Sequence, residues 1–434
     1  MDKMADVLGS AGAWCGQNKY LSAIKNAFQN FMPLTIAGAI GVLWCNVLVN
    51  ESTGLGIFFK PIMALEFLNP AFQAVNFCTI SCITVGITLG IAQEIGVWNM
   101  GAEKAGYIPG LVGLAAWLSV TNTSHMVEGA KEAFTGIAGN ELGATGLFTG
   151  MIIGVLSVEL FCFFEKQDAL KIKMPEQVPP GVARAFEVLV PATITLIITA
   201  CIGSACYNLT GLYLNDVIKN GIQGPLGAVG ATIPGVMIIY LVIMLFWLVG
   251  IHGNNMLSAV KEALFTPLAL ENVEKFNKGE KPTNIINMYF LQMCGEFGGS
   301  GVTIGLVIAI MIFGKREDNK AIATLSLVPG LFNINETVTF GIPMVLNPIL
   351  GIPFVVAPLV TIIIGYVLTV IGFCPVACLT VPWTTPPIVF GFLACGANVM
   401  GAVTQAILIV VSTVIYVPFL ISYEKYQNKQ AAEA

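Results

Sequence analysis

One carboxylate lies alone in a long apolar part of the 434-residue chain. Glu336 is the only Asp, Glu, Lys or Arg between Ala321 and Tyr423, and asparagines lie close to it in the stretch FNINETVTFGIPMVLNPILGIPF. An ionisable side chain in a membrane segment costs roughly 2.5–3.5 kcal/mol on insertion scales and commonly marks a substrate site or an ion path. The carboxylate could bind a polar solute or carry a proton, or it could only fix a hairpin through its amide neighbours.

Three prolines follow this carboxylate, at Pro343, Pro348 and Pro353. A proline inside a helix removes a hydrogen bond and frees backbone groups, and irregular backbone at membrane depth is tolerated only where protein or a cavity covers it. The sequence therefore predicts that no continuous helix runs through this stretch. The freed backbone groups favour the interpretation that Glu336 faces a cavity.

One of the two histidines lies in the stretch FWLVGIHGNNML, at the end of a long apolar run. Glycines flank Ile251 and His252, so the backbone can bend here, and Asn254 and Asn255 supply amide donors and acceptors. Histidine exchanges protons near neutral pH. His252 is therefore a candidate site residue, and a histidine that only supports the fold is the alternative. The other histidine, His125, lies in a polar loop and is predicted to be solvated.

A third candidate stretch is LTVPWTTPPIVFG (379–391), in which prolines forbid a regular helix. Trp383 offers a flat apolar face there, beside the hydroxyl of Thr384. Sugars present C–H faces to aromatic rings and hydroxyls to amides and carboxylates, so these residue types suit a carbohydrate. Together the three stretches indicate a transporter of a polar solute.

The composition excludes a soluble globular protein. Only 10% of the residues are charged and 56% are hydrophobic, whereas soluble chains carry about a quarter charged residues. About 20 predominantly apolar residues span a bilayer as a helix. We predict an all-α polytopic membrane protein with about ten transmembrane helices. The candidate spans are 31–49, 72–92, 107–120, 143–164, 187–209, 226–250, 285–313, 321–350, 352–373 and 386–422.

Two polar stretches, 165–187 and 261–282, carry clusters of lysine and arginine. By the positive-inside rule both lie in the cytoplasm, together with the two ends of the chain. Strict alternation of the spans then fails for 285–313. Either the run GEFGGSG (295–301) breaks this segment into a re-entrant hairpin, or part of 321–350 does not cross. Broken helices of this kind are where transporters bind substrate.

The eleven cysteines lie mostly in apolar runs. The pairs Cys78/Cys82 and Cys374/Cys378 are spaced so that each pair shares one helix face. Neither pair has the histidine or further cysteine partners that a metal site needs. These side chains are predicted to pack as small apolar groups, and no metal site is expected.

At these motifs the sequence resembles the membrane IIC component of bacterial phosphoenolpyruvate-dependent sugar phosphotransferase systems, in the lactose, cellobiose and diacetylchitobiose branch. The resemblance runs nearly end to end. The segments that carry it are AIKNAFQNFMPLTIAG (23–38), VPPGVARAFEVLVPATI (178–194), GIHGNN (250–255), FNINETVTFGIPMVLNPILGIPF (332–354) and VPWTTPP (381–387). The long pattern in 332–354 is the most specific of them.

The resemblance implies a homodimer in the bacterial cell membrane, with an N-terminal dimerising half (1–210) and a C-terminal transport half (211–434). It implies a disaccharide substrate and a separate cytosolic IIB protein, whose phosphocysteine donates the phosphoryl group in trans. The chain would be the transport component of a phosphotransferase that acts together with IIB. The lipid bilayer is the remaining partner, and neither a cofactor nor a nucleic acid is expected.

The resemblance also assigns site residues. The candidate substrate-binding residues are His252, Asn255, Glu336, Trp383, Thr384 and Trp247. Glu336 and His252 are implied to hold the sugar hydroxyl, usually on C6, that receives the phosphoryl group, and one of them assists its deprotonation. Thr337 stands where the family commonly has proline, which leaves the hairpin detail and the sugar open.

The sequence thus predicts a group-translocating permease for a β-linked disaccharide. The main alternative is a proton-coupled sugar symporter, in which Glu336 and His252 relay protons. A membrane sensor that binds sugar without transporting it is a third class.

Overall fold

In the computed structural model, residues 17–51, 56, 59–125, 134–175, 177–225, 230–342, 344 and 347–433 are described. Nearly all regular structure within them is helical, which confirms the predicted all-α class. The strands they contain are Ser124–His125 and Phe134–Thr135, which pair antiparallel. His125 is half-buried in this hairpin rather than solvated, and its Nε2 lies 3.2 Å from the Asn122 carbonyl oxygen.

The chain forms two compact units. We call residues 17–41 and 70–227 the N-terminal unit, and residues 42–69 and 228–434, as far as they are described, the C-terminal unit. The helices centred in the N-terminal unit are Lys19–Leu43, Asn69–Cys78, Ile80–Cys82, Ile83–Met100, Ala102–Ala105, Ile108–Val120, Gly139–Leu142, Ala144–Glu165, Asp168–Leu170, Pro180–Thr210, Leu214–Ile218 and Lys219–Gln223. The predicted assignment of dimerisation to 1–210 and of transport to 211–434 stays a prediction.

The C-terminal unit contains both short and long helices, separated by turns and irregular stretches. They are Trp44–Leu48, Lys60–Leu68, Ile233–Leu248, Gly253–Met256, Ser258–Asn277, Met288–Gly295, Ser300–Val302, Ile304–Phe313, Glu317–Leu331, Glu336–Gly341, Gly351–Val370, Val389–Ala394 and Val399–Glu433. The chain in this unit is therefore interrupted often, and many helices end inside it rather than running through it.

Six helical stretches among the described residues are long and apolar enough to cross a bilayer. They are Lys19–Leu48, Lys60–Met100, Ala144–Glu165, Pro180–Thr210, Gly351–Val370 and Val399–Glu433. A seventh candidate is a bent pair, Met288–Val302 and Ile304–Phe313. The predicted number of about ten spans is not confirmed, because the helices found within 107–120, 226–250 and 321–350 are shorter than a span.

Small residues let the helices of the N-terminal unit approach closely. A Cβ at Gly113 would lie 2.3 Å from the Ala92 Cβ, and one at Gly150 would lie 2.2 Å from the Thr88 Oγ1. Small residues commonly occupy such contacts in membrane proteins, because lipid supplies no hydrophobic drive for helix association. The pairing of Ile83–Met100 with its neighbours therefore depends on glycine at these positions.

The break predicted in 285–313 is present. The chain bends by 60° between Met288–Val302 and Ile304–Phe313. Gly298 and Gly299 have φ of +69° and +88° there, a region that side chains with a Cβ rarely adopt. A Cβ at Gly298 would also lie 2.4 Å from the Ile304 Cβ. The glycine-rich run is therefore required by both the backbone angles and the packing.

The segment 321–350 is also not one helix. Glu317–Leu331 ends, a turn follows, and the short helix Glu336–Gly341 begins. Pro343, predicted to help interrupt this stretch, lies outside the described residues. Pro353 does not break a helix, because it lies in the first turn of Gly351–Val370, where its missing N–H has no helical partner anyway.

The two cysteine pairs singled out in the sequence differ in burial. Cys374 and Cys378 are buried, as expected for small packing residues, whereas Cys78 is exposed. No group of three or more His, Cys, Asp or Glu side chains in the described part of the chain could hold a metal ion.

Gln405 clamps three segments of the C-terminal unit. Its Oε1 accepts hydrogen bonds from the Ile388 and Gly391 N–H groups at 2.7 and 2.8 Å, and its Nε2 donates to the Met293 carbonyl oxygen at 3.1 Å. The side chain is only 1% exposed. These bonds satisfy backbone groups at the end of Met288–Gly295 and at the start of Val389–Ala394, where a helix leaves such groups without an internal partner.

We predict that Gln405→Leu lowers the free energy of unfolding by about 2–4 kcal/mol, because each buried polar group left without a partner costs about 1–3 kcal/mol. The measurement is the midpoint of thermal unfolding in detergent. Gln430→Leu, on the exposed end of the same helix, is the matched control and should change stability by less than about 0.5 kcal/mol. An unchanged midpoint for Gln405→Leu would contradict the clamp.

Candidate functional site

His252 lies at a sharp turn just after the helix Ile233–Leu248. Its Nδ1 accepts a hydrogen bond from the Asn255 backbone N–H at 3.2 Å, which caps the short helix Gly253–Met256. Gly253 is required because a Cβ there would lie 2.0 Å from the Ile243 carbonyl oxygen. With Nδ1 as the acceptor, a neutral imidazole carries its hydrogen on Nε2.

Trp247 supports the imidazole from one side. The two ring centroids are 4.4 Å apart, with planes at 50°. The Phe354 ring packs edge-on against Trp247 at 6.3 Å. Trp247 is only 2% exposed, so it lies behind His252 and its ring offers almost no open face. The ring contact restricts the orientation of the histidine.

Glu336 faces His252 across a short gap. It is the first residue of the helix Glu336–Gly341, and its Oε1 lies 3.9 Å from the His252 Nε2. This distance is too long for a direct hydrogen bond. The Glu336 side chain is 47% exposed, and its carboxylate accepts no hydrogen bond from the residues that the structure describes. One hydroxyl oxygen can lie within hydrogen-bonding distance of both groups.

Other carboxylates in apolar helices of the protein have partners. Glu94 accepts from the Asn26 amide at 2.9 Å, and Glu159 lies 2.6 Å from the Lys19 ammonium group. Pairing of this kind is the usual way to satisfy an intramembrane charge. Glu336 differs from them because it points into open space opposite a histidine.

Asn333 joins the glutamate segment to two other broken segments. Its Oδ1 accepts from the Gly298 N–H at 2.6 Å, and its Nδ2 donates to the carbonyl oxygens of Trp383 and Thr385 at 2.5 and 3.1 Å. Its φ of +63° is left-handed, which asparagine tolerates better than most residues. The hairpin that presents Glu336 is therefore tied to both the glycine break and the proline-rich turn.

Asn335 makes a second attachment to the glycine break. Its Nδ2 donates to the Ser300 carbonyl oxygen at 2.7 Å, and the residue is buried. A Cβ at Gly299 would lie 2.6 Å from the Asn335 Cβ, so glycine lets the two segments touch. The asparagines noticed beside Glu336 in the sequence thus position the hairpin.

Trp383 lies in the turn closed by the Thr385 N–H and the Pro382 carbonyl oxygen at 2.9 Å. The residue is 44% exposed, and its carbonyl oxygen accepts a hydrogen bond from Asn333. Thr384 is half-buried in the same turn. The Asn255 side chain is exposed beside His252. The structure thus joins the His252, Glu336 and Trp383 segments, and it places Trp247 behind the histidine.

Sequence reasoning missed a buried ion pair next to this site. The sequence places Lys261 at the start of the polar stretch 261–282, among lysines predicted to lie in the cytoplasm. In the structure it lies in the helix Ser258–Asn277, is only 6% exposed and binds the Glu296 carboxylate. The Tyr240 hydroxyl donates to the same carboxylate at 2.7 Å. A signal was available, because Glu296 is the only charged residue within 283–313.

Comparisons with known proteins identify close relatives. A family model described as "Phosphotransferase system, EIIC" matches residues 25–358. The oligo-beta-mannoside-specific EIIC component of Bacillus subtilis (strain 168) is 33% identical over 429 residues, 98% of this chain and 94% of the relative. The cellobiose-specific EIIC component of Lactococcus lactis subsp. lactis (strain IL1403) is 29% identical over 486 residues, 98% of each.

A solved structure resembles the whole fold. The crystal structure of the transporter ChbC, the IIC component from the N,N'-diacetylchitobiose-specific phosphotransferase system, superimposes with a TM-score of 0.88. The identity is 30%, and the match covers 97% of this chain and 97% of that chain.

We predict that both Asn333→Gly and Asn333→Ala lower the free energy of unfolding by about 2–4 kcal/mol, because each variant frees three backbone groups from their amide partner. Ala should be less stable than Gly by a further roughly 1 kcal/mol, since only glycine adopts a positive φ without cost. Thermal unfolding of the three proteins in one detergent measures both effects. Equal midpoints for the Gly and Ala variants would contradict the left-handed conformation.

Proposed function

The chain belongs to the EIIC family of the phosphotransferase system, the membrane-embedded sugar permeases, and on that premise we propose that it imports a β-linked disaccharide and presents one sugar hydroxyl for phosphorylation. The family predicted from the motifs is thereby confirmed. The observation that carries the proposed chemistry is the 3.9 Å gap between the His252 Nε2 and the Glu336 carboxylate, which has no hydrogen-bond donor among the described residues.

The hydrogen-bond roles of the two groups differ. The His252 Nδ1 already accepts the Asn255 N–H, so the neutral ring has Nε2–H available as a donor. A hydroxyl in the gap would accept from Nε2 and donate to the Glu336 carboxylate. We therefore assign Glu336 as the group that receives the hydroxyl proton and His252 as the group that orients the oxygen.

The proposed transfer requires a donor with a leaving group. In this step the sugar oxygen attacks the phosphorus of a phosphocysteine on a separate IIB protein. The P–S bond breaks, a P–O bond forms, the cysteine leaves as a thiolate, and the hydroxyl proton passes to Glu336. Positioning and charge stabilisation supply most of the catalysis in such transfers. The dianionic product cannot easily re-enter a site walled by apolar helices, so sugar accumulates without an ion gradient.

Aromatic residues take two roles in this proposal. The exposed Trp383 ring is placed to stack on the C–H face of a sugar ring, while Thr384 and the Asn255 amide are available to its hydroxyls. Trp247 was predicted to bind substrate, but its burial favours a supporting role, in which it holds the His252 ring. A flat ring beside amides and a carboxylate suits a carbohydrate better than an ion.

The names of the relatives support a substrate class. The three described above are named for oligo-beta-mannosides, cellobiose and N,N'-diacetylchitobiose, which are all β-linked. We propose a β-linked disaccharide for this chain too. Binding measurements with cellobiose, lactose, diacetylchitobiose and mannobiose would identify it.

The remaining proposals concern assembly. We propose that the chain forms a homodimer through its N-terminal half, that the C-terminal half carries the sugar, and that both chain ends lie in the cytoplasm. The placement of Lys275, Lys278 and Lys281 near the end of a helix and in the loop after it supports this orientation through the positive-inside rule.

We predict that Glu336→Gln keeps the fold and oligomeric state but lowers the rate of sugar phosphorylation by about 10²-fold or more, because the amide cannot take the hydroxyl proton. The assay uses purified protein with phosphorylated IIB and labelled sugar. Glu274→Gln, which changes an exposed carboxylate paired with Lys278, is the matched control and should keep the parental rate. Full activity of Glu336→Gln would return this carboxylate to a purely structural role.

We also predict that vesicles containing the protein take up and retain sugar only when phosphorylated IIB is enclosed inside them. The retained sugar should be phosphorylated. The measurement is sugar uptake with and without IIB, and with and without a pH gradient. Free sugar accumulating on a pH gradient without IIB would instead establish a symporter. Sugar binding with no uptake under any condition would establish a sensor.

A further inference from the structure

A buried cation lies between the segments that carry the two groups of the sugar site. The Lys261 ammonium group binds the Glu296 carboxylate and donates to the Asn254 Oδ1 at 3.3 Å. Asn254 is two residues from His252, and Glu296 is two residues from Gly298. One ammonium group therefore contacts both the histidine segment and the glycine break.

The glycine break is in turn attached to the glutamate hairpin. The Gly298 N–H donates to Asn333, and the Ser300 carbonyl oxygen accepts from Asn335. The Asn254 amide also donates to the Ser300 hydroxyl at 2.8 Å. A continuous path of hydrogen bonds thus connects the backbone that carries His252 with the backbone that carries Glu336.

The Lys261–Glu296 ion pair is largely buried and has a further hydrogen-bond partner. The side chains of Lys261 and Glu296 are 7% and 16% exposed, and Tyr240 gives the carboxylate a further hydrogen bond. A buried ion pair of this kind adds little net stability, because desolvation of both charges offsets their attraction. Its value is then geometric, since an ammonium group with three donors can hold several segments at one point.

We propose that the Lys261–Glu296 ion pair is a positioning device that sets the separation between His252 and Glu336, and thereby the affinity and reactivity of the sugar hydroxyl. This inference rests on the proposed function of that gap. Neither residue contacts the sugar in this proposal, and both act through the segments they hold.

The test replaces both charges together. Lys261→Met/Glu296→Met removes both charges of the pair together, and apolar replacement of both partners is often tolerated by the fold. We expect a parental unfolding midpoint, at least about 10-fold weaker sugar binding and at least about 10-fold lower kcat at saturating sugar. Lys19→Met/Glu159→Met removes a more exposed ion pair from the N-terminal unit and should keep the parental sugar affinity.

A double-mutant cycle separates positioning from general support of the fold. In the Glu336→Gln background the Met/Met pair should cost less than about 2-fold further in sugar affinity, because the gap that it sets is already disabled. The proposal is overturned if the Met/Met pair weakens sugar binding by the same factor in the parental and the Glu336→Gln backgrounds. It is also overturned if a folded Met/Met variant keeps the parental affinity and kcat. If the Met/Met variant gives no folded protein, Glu296→Gln decides by the same measurements: a loss that disappears in the Glu336→Gln background supports the proposal, and parental values overturn it.

Failure of this inference and failure of the proposed function give different results. If the proposed function is wrong, the parent protein itself neither binds nor phosphorylates the sugar, and Glu336→Gln changes nothing. If only the inference is wrong, Glu336→Gln loses activity while the folded Met/Met variant keeps it.

Discussion

The Asn333 side-chain amide accepts one hydrogen bond and donates two, and these bonds hold three broken segments of the C-terminal unit together. They reach a glycine-broken segment on one side and a proline-rich turn on the other. Irregular backbone in a membrane protein must have its polar groups satisfied internally, because lipid offers no partners. The site depends on this constraint. The breaks in the helices allow segments that carry a carboxylate, a histidine and a tryptophan to be joined although they are distant in the chain. The asparagine side chains satisfy the backbone groups that these breaks leave unpaired.

The two conspicuous carboxylates of this unit show how environment decides role. Glu296 and Glu336 each stand alone in an apolar stretch of sequence. Glu296 is paired with Lys261 and accepts a hydrogen bond from Tyr240, so its charge is balanced within the protein. Glu336 is left open opposite His252. No other group among the described residues hydrogen-bonds the Glu336 carboxylate, so we propose that it is the one that binds substrate, while the paired Glu296 holds the surrounding segments in place.

Several features could be predicted from residue types alone. The all-α membrane class follows from the scarcity of charge, and the break at 295–301 follows from its glycines, which adopt positive φ. The singular position of Glu336 was visible because charge is costly in apolar surroundings. The pairing of Lys261 with Glu296 was not visible, since a lysine near the end of an apolar run looks like an ordinary cytoplasmic lysine. The burial of Trp247 and the number of spans depend on tertiary packing and helix length, which hydropathy does not encode.

We propose that a single sugar hydroxyl lies between His252 and Glu336. A structure of the protein with its disaccharide bound, determined at a resolution that locates the sugar oxygens, tests this most directly. We expect one hydroxyl oxygen within hydrogen-bonding distance of both the His252 Nε2 and a Glu336 carboxylate oxygen, with a sugar ring against Trp383. A bound sugar whose hydroxyls contact neither group, or that leaves the gap filled by a direct His252–Glu336 hydrogen bond, would contradict it.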